Sequence, residues 1–303
     1  PDVILFGEIR FGFEKRFLKM LRDDGLKLAD IVHDVRTYDV SQGSDVVVKE
    51  DEDTLQAYND IYSLFDALYV HDRKNYDLFL ELYDVPESKV HEIPHGANEI
   101  MLEMPPSHTP EQLRTELGIP PDKPLILFFG TVARYKGIED LLMCYRAVCD
   151  AIDVHLLVAG YPSKDTDPES LKIIAREQGI EEHITWFLDY VPNEQVVTMM
   201  QMCSVAALPY RAISQSGVVH IAYACGTPVV ATRVGGLADV VEHGKSGMLV
   251  EQGDIPALSQ AFIDVLHDPK KLAAMGDYAR DLAQNQYSWK RVAELVVAGM
   301  EQI

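Results

Sequence analysis

The 303-residue chain is 47% hydrophobic and 25% charged, an ordinary globular composition with ample apolar content for a core. Its formal net charge of −21 argues against broad electrostatic binding to nucleic acid or to an anionic bilayer. No apolar run reaches the ~18 residues of a membrane span and no secretory pattern is visible, which sets the expectation of a cytoplasmic protein with no membrane association encoded in the visible chain.

The chain opens directly into a strand-like run, "PDVILF", so residues upstream of it are expected to be missing. The first third alternates short apolar strands ("DVILF", "ADIVHDV", "ALYVH", "KVHEIPHG") with helical stretches such as "EKRFLKMLRDD" and "TLQAYNDIYSLF". The segment "EMPPSHTP" has linker texture. It leads into a helix with Thr109 as N-cap, Pro110 at its first position and Gln112 at the capping-box position, ended by Gly118 and "IPPDKP". From Pro124 the alternation is regular. "LILFFG", "VHLLVAG", "ITWFL", "SVAALPY", "PVVATR" and "GMLVE" are strands, each followed by a helical segment; Asp167-Pro168, Pro192 and Asp254 punctuate helix starts. Strands apolar on both faces and separated by helices predict parallel sheets covered on both sides. The predicted architecture is α/β with two units: an N-terminal domain over 1–104, a linker and capping helix over 105–123, a second domain over 124–286, and a terminal helix over 287–303. The four cysteines, Cys144, Cys149, Cys203 and Cys225, lack metal-ligand spacing and read as buried free thiols of a reducing compartment.

In open α/β sheets ligands sit beyond the carboxyl ends of strands, so the residues that follow each strand, facing the cleft between the units, are where function is expected. "GTVARYKG" follows the first strand of the second unit. Arg134, Lys136 and a helix start converge there, which suits a phosphate or diphosphate, with Gly130 and Gly137 allowing close backbone approach. A solvated basic turn would produce the same spacing. "SQSG", Ser214–Gly217, follows "ALPYRAI" and offers hydroxyls and helix N–H groups to a second phosphate face, although an ordinary N-cap has the same composition. Gly235-Gly236 open another helix and need no ligand to explain them.

Taken in order, "FFGTVARYKG", "YVPNEQV", "ALPY", "AYACGTPVVATRVGG" and "HGKSGMLVEQGD" resemble the donor-binding half of retaining GT-B glycosyltransferases of family 4, the glycosyl transferases group 1, over residues 124–303. "IVHDV", "ALYVHDRKN" and "VHEIPHGANEI" resemble the acceptor domain, whose usual first strand and glycine-rich loop are not found here. The resemblance thus implies a GT-B fold, two Rossmann-like parallel-sheet domains facing a cleft, with an incomplete N-terminal domain. It implies that Arg134 and Lys136 hold the diphosphate, that Gly130, Ser216, Gly217 and Val218 face the phosphates and sugar, and that Gln215 lies near the sugar. The backbone of Tyr190 and Val191 would meet the nucleobase. His33 matches the family histidine near the reacting sugar; His95-Gly96 matches the turn before the linker, with Asn98 in place of the usual Asp. The two positions of the usual glutamate pair fall on Ile213 and Ile221, so no ribose contact is assigned. Asp239 sits where a glutamate is usual, His220 reads as packing, and Trp289 reads as the packing anchor of a last helix that crosses back.

The activity so implied is metal-independent, retaining hexosyl transfer from a nucleotide-diphospho-sugar to a glycan, lipid-linked or small-molecule hydroxyl. The donor would be a substrate and no further cofactor is expected, nor is nucleic acid a partner. A GT-B epimerase, a phosphorylase (for which no pyridoxal lysine can be nominated) and a non-catalytic nucleotide-sugar-binding protein are the alternatives.

Overall fold

Residues 2–7, 14–33, 35, 52–97 and 99–303 are described by the computed structural model; Asn98 and the remainder lie outside the described residues. Two compact units result. The described residues up to Gly96 form the first together with Trp289–Ile303, and Ala97–Ser288 form the second.

In the first unit, β1 (Val3–Gly7), α1 (Glu14–Asp23), β2 (Lys27–Val32), α2 (Glu52–Tyr62), β3 (Ala67–His71), α3 (Arg73–Leu82) and β4 (Val90–Ile93) build a parallel sheet of order β1-β2-β3-β4. Side chains alternate across a strand with period two. Leu28, Leu68 and Val70 therefore join Leu18, Phe65 and Phe79 on one face. Ala29, Ala67 and Tyr69 take the other face, against Val292 and Val296. These last two belong to a C-terminal helix, Trp289–Met300. The pair Ala29↔Ala67 lies in register, and its small side chains let that helix sit close to the sheet. The Tyr69 hydroxyl donates to the Val296 carbonyl at 2.7 Å.

The second unit continues with α4 (Pro110–Glu116), β5 (Leu125–Phe129), α5 (Ile138–Ala151), β6 (His155–Ala159), α6 (Pro168–Glu177), β7 (Ile184–Phe187), α7 (Asn193–Met202), β8 (Val205–Leu208), α8 (Gly217–Ala224), β9 (Val229–Thr232), α9 (Leu237–Val240), β10 (Gly247–Val250), α10 (Ile255–Leu266) and α11 (Pro269–Asn285); the helix Trp289–Met300 of the first unit is α12. Its sheet is parallel, in the order β10-β9-β8-β5-β6-β7. On β5, Leu125 and Leu127 enter one core with Leu157, Leu208 and Tyr223, while Ile126 and Phe128 enter the other with Leu142, Val158 and Phe262. Both faces are covered, as the unbroken apolar run "LILFF" requires. The capping box at Thr109 forms, and Asp167 and Asp254 cap α6 and α10.

The division falls at Gly96/Ala97 and Ser288/Trp289, so Ala97 and residues 99–104 sit with the second unit rather than the first. Packing explains this. The Ala97 amide donates to the Tyr287 carbonyl at 2.6 Å, and Met101, Leu113 and Ile119 pack into the core around Leu125. All four cysteines are free, but only Cys144 and Cys225 are buried, Cys149 and Cys203 being partly exposed.

Strand order also locates a functional edge. From β5 the chain moves outward through β6 and β7, then returns to the opposite side of β5 to form β8. The helix after β5, α5, packs into one core and the helix after β8, α8, into the other, so β5 and β8 mark the switch point of the sheet, where ligands of open α/β sheets sit.

Candidate active site

Both cation-bearing and capping motifs leave strands at that switch point. After β5, Gly130 has φ 101°, and Arg134–Lys136 make one 3-10 turn closed by Gly137 at φ 68°. A Cβ on Gly137 would overlap the Pro209 carbonyl just past β8. The turn therefore lies directly on the β8 exit, and Arg211 N–H donates to the Tyr135 carbonyl at 2.7 Å to hold it there.

Lys136 is the distinctive residue. Its side chain runs back toward the strand end: a Cβ on Gly130 would stand 2.8 Å from Lys136 Nζ and 3.7 Å from Val218 Cγ2. The Lys136 ammonium and the Val218 side chain thus both border Gly130. Lys136 is only 8% exposed, and its side chain makes no hydrogen bond or ion pair among the described residues. The Tyr210 ring lies 5.4 Å from Nζ. Burial lowers its pKa below the ordinary lysine value, with only the neighbouring Tyr135 acting in the opposite sense. A buried ammonium without a counter-charge is unfavourable unless an anion joins it.

Arg134 is differently placed. Its side chain is 62% exposed, with Nε 3.4 Å from Glu139 Oε1. Glu139 also faces Arg211 at 3.7 Å, and Arg211 is itself held by Asp140 through two hydrogen bonds of 3.0 and 2.7 Å. An exposed pair of this kind contributes at most about 1 kcal/mol, so a diphosphate can displace it.

Ser216 occupies the N-cap position of α8 and is buried, but its side chain makes no capping hydrogen bond. The N–H groups of the first turn are therefore left unclaimed by a side-chain cap, beside the Val218 that borders Gly130. The Gln215 amide and the Ser214 carbonyl fill the space that a Cβ on Gly236 would need, 2.8 Å away, and Gly236 N–H donates to Ser214 O at 2.9 Å. The Gly235-Gly236 turn thus buttresses the "SQSG" loop. Ile213 and Ile221 pack against the core of the unit and present no carboxylate. Asp239 lies within α9.

Past β7, Val191 sits in the core and the Tyr190 ring is 66% exposed. The Tyr190 N–H donates to Asp189 Oδ1 at 2.7 Å within the loop that follows β7. Asp165-Thr166-Asp167 has Asp-x-Asp spacing but acts structurally: Asp167 caps α6, and Asp165 accepts from Ser163.

In the first unit, His33 follows β2, His71 ends β3 and His95 follows β4, on three adjacent strands. His71 Nε2 is 3.0 Å from His33 Nδ1, and ring centroids lie 4.9 Å (His33–His71), 5.1 Å (His71–His95) and 6.5 Å (His33–His95) apart. Burial, then the His95 and His33 charges, push the His71 pKa down to about 3; burial likewise lowers His95. The sequence reading singled out His33 and His95 and missed His71, although "ALYVH" ends its strand on a histidine just as "IVH" does. His220 is fully buried, with its ring 4.9 Å from that of Tyr287, and the Trp289 indole lies against Gly96.

Two Rossmann-like parallel sheets, one with an anion-ready turn at its switch point, are the parts of a GT-B protein. The fold agrees with solved structures: the TM-score is 0.80 to Anabaena HepE in complex with UDP, at 17% identity over 100% of this chain and 79% of that one. It is 0.77 to sucrose-phosphate synthase from Thermosynechococcus elongatus, at 23% identity over 99% and 73%. Residues 110–282 match the glycosyl transferases group 1 family, and the chain belongs to it. It is 34% identical over 222 residues to D-inositol 3-phosphate glycosyltransferase from Corynebacterium urealyticum, an alignment covering 72% of this chain and 52% of that protein. The chain spans about half the length of the curated relatives it matches.

Proposed function

We propose that the chain carries the donor site of a retaining glycosyltransferase that takes a hexose from a nucleotide-diphospho-sugar. The observation that carries this reading is Lys136: a buried cation with no counter-charge among the described residues, at a β5/β8 switch point, beside a helix start without a side-chain cap. As the anomeric C–O bond lengthens, negative charge grows on the departing diphosphate. A cation already desolvated and fixed stabilises that charge without the reorganisation water would need. Arg134 exchanges Glu139 for the outer phosphate. Ser216, Gly217 and Val218 present the α8 start to the phosphates and sugar, Gln215 approaches the sugar, and the Val191 backbone meets the base.

Transfer follows the front-face course of the family. The acceptor oxygen bonds to the anomeric carbon on the side from which the diphosphate leaves, and its proton passes to a diphosphate oxygen. Arg134 and Lys136 supply the neutralising charge, so no divalent metal is required. His33 accepts a hydrogen bond from a hydroxyl of the reacting sugar. UDP-glucose is the first donor to test, because a fold neighbour is a UDP complex, and inositol 3-phosphate is the first acceptor, from the name of the relative.

Calorimetric titration with UDP, GDP and ADP tests the donor site, followed by product analysis with the corresponding nucleotide-glucose. Micromolar binding of one diphosphate by the wild type, at least tenfold weaker in Lys136→Met, is expected. Binding that ignores Lys136→Met refutes the assignment.

A further inference from the structure

The three histidines at the carboxyl ends of β2, β3 and β4 are more ordered than one sugar contact requires. In the pair His33 Nδ1 and His71 Nε2, 3.0 Å apart, one nitrogen must carry the proton and the other the lone pair. The surroundings of His71 decide which. Its other nitrogen, Nδ1, is buried and has no partner at hydrogen-bonding geometry. The carbonyls of Ile93 and Pro94 are the backbone acceptors against this ring, and the His95 and His33 rings are the titratable groups that face it. A bare lone pair on the buried Nδ1 would confront carbonyl lone pairs, whereas an N–H there points toward acceptors. His95 has the same polarity, since its Nδ1 lies 3.0 Å from the Gly96 carbonyl, which can only accept.

We propose that His71 is a positioning residue: its Nε2 lone pair accepts from His33 Nδ1–H and so fixes the His33 tautomer that presents a bare Nε2 outward. His33 Nε2 makes no hydrogen bond among the described residues, and a bare nitrogen there can accept from a hydroxyl. Free imidazole exchanges between its tautomers, and the wrong one would offer a donor where an acceptor is needed. The His71 ring is held neutral by burial, which keeps the relay in this sense across the neutral range. Its contribution to activity rests on the proposed contact of His33 with the sugar; the tautomer itself does not.

The decisive measurement is a long-range 1H–15N correlation spectrum of the 15N-histidine-labelled protein without substrate at neutral pH. Wild type should show His33 protonated on Nδ1 only. His71→Gln, whose amide oxygen can accept, should preserve this, and His71→Phe should give a mixture. A wild-type His33 protonated on Nε2, or a tautomer unchanged by His71→Phe, overturns the proposal; the wild-type spectrum alone suffices if a variant fails to fold. With UDP-glucose as donor, His71→Phe should lower kcat/KM about tenfold and His71→Gln should recover most of it. If His33→Ala leaves that turnover unchanged, the sugar contact fails while the tautomer result still stands.

Discussion

Lys136→Met separates a functional cation from a structural one, because the two readings predict opposite signs. In the unliganded protein the ammonium is buried, with its pKa lowered and no hydrogen-bonded partner to lose. Methionine keeps most of the apolar length of a side chain that reaches Gly130 while removing the desolvated charge. The melting temperature should therefore stay level or rise. Ligand energetics go the other way. A charge-assisted contact to a phosphate contributes about 1.5–3 kcal/mol, so Kd for the nucleoside diphosphate should rise roughly 10- to 150-fold. Loss of one preorganised charge in the transition state costs about 3 kcal/mol, near two decades in kcat/KM. Differential scanning fluorimetry with and without UDP, GDP or ADP reads both effects in one experiment. A variant destabilised by about 2 kcal/mol that keeps its ligand-induced shift would show that Lys136 serves packing over Tyr210, and the diphosphate site would be lost with it.

Arg134→Ala should change stability by less than about 0.5 kcal/mol, because its pair with Glu139 is exposed, yet lower kcat/KM at least tenfold in the UDP-glucose assay. Gly137→Ala should destabilise by about 2 kcal/mol or more in urea unfolding, since φ is 68° and the new Cβ would overlap the Pro209 carbonyl. Burial lowers the pKa of His71 to about 3 and of His155 to about 4 from 6.5. The unfolded chain thus binds protons that the folded chain refuses, and unfolding free energy should fall as pH drops from about 6.5, down to about 4 for His155 and about 3 for His71, by up to ~1.4 kcal/mol per pH unit for each histidine. On the proposed assignment of the neutralising charge to Arg134 and Lys136, transfer should survive EDTA; restoration of lost activity by Mg²⁺ would refute that assignment.

The second unit was legible because its signals are local. "LILFF" and "LLVA" are apolar at consecutive positions, short enough to suit strands covered on both faces, and Thr109, Asp167 and Asp254 stand where helix starts need acceptors. The switch point was not legible, since nothing along the chain says that β8 returns to pair with β5. Nor was the contrast between Arg134 and Lys136. Two cations two residues apart look equivalent in a string, and only the one-turn 3-10 geometry sends one outward to Glu139 and the other inward against Gly130. His71 was missed for a related reason: a histidine at a strand end gains meaning only when the neighbouring strand, set in register, brings a second imidazole to 3.0 Å. Sequence reading also placed residues 97–104 with the first unit. The prolines that follow them mark a break in texture, but Met101 and the Ala97 amide determine which core they join.

The overall acidity sharpens the meaning of that inward lysine. A net charge of −21 repels any diphosphate at long range. At physiological ionic strength the Debye length is about 8 Å, so the distant carboxylates are largely screened while a buried, nearly adjacent ammonium is not. Raising salt from low to moderate levels should therefore speed association of UDP with the wild type by relieving repulsion, and should weaken the exposed contribution of Arg134 more than the buried one of Lys136. In Arg134→Ala the residual affinity should be nearly independent of salt, and in Lys136→Met what remains should fall steeply. If both variants show the same salt slope, the distinction between the outward and the inward cation is an accident of packing and not a division of labour.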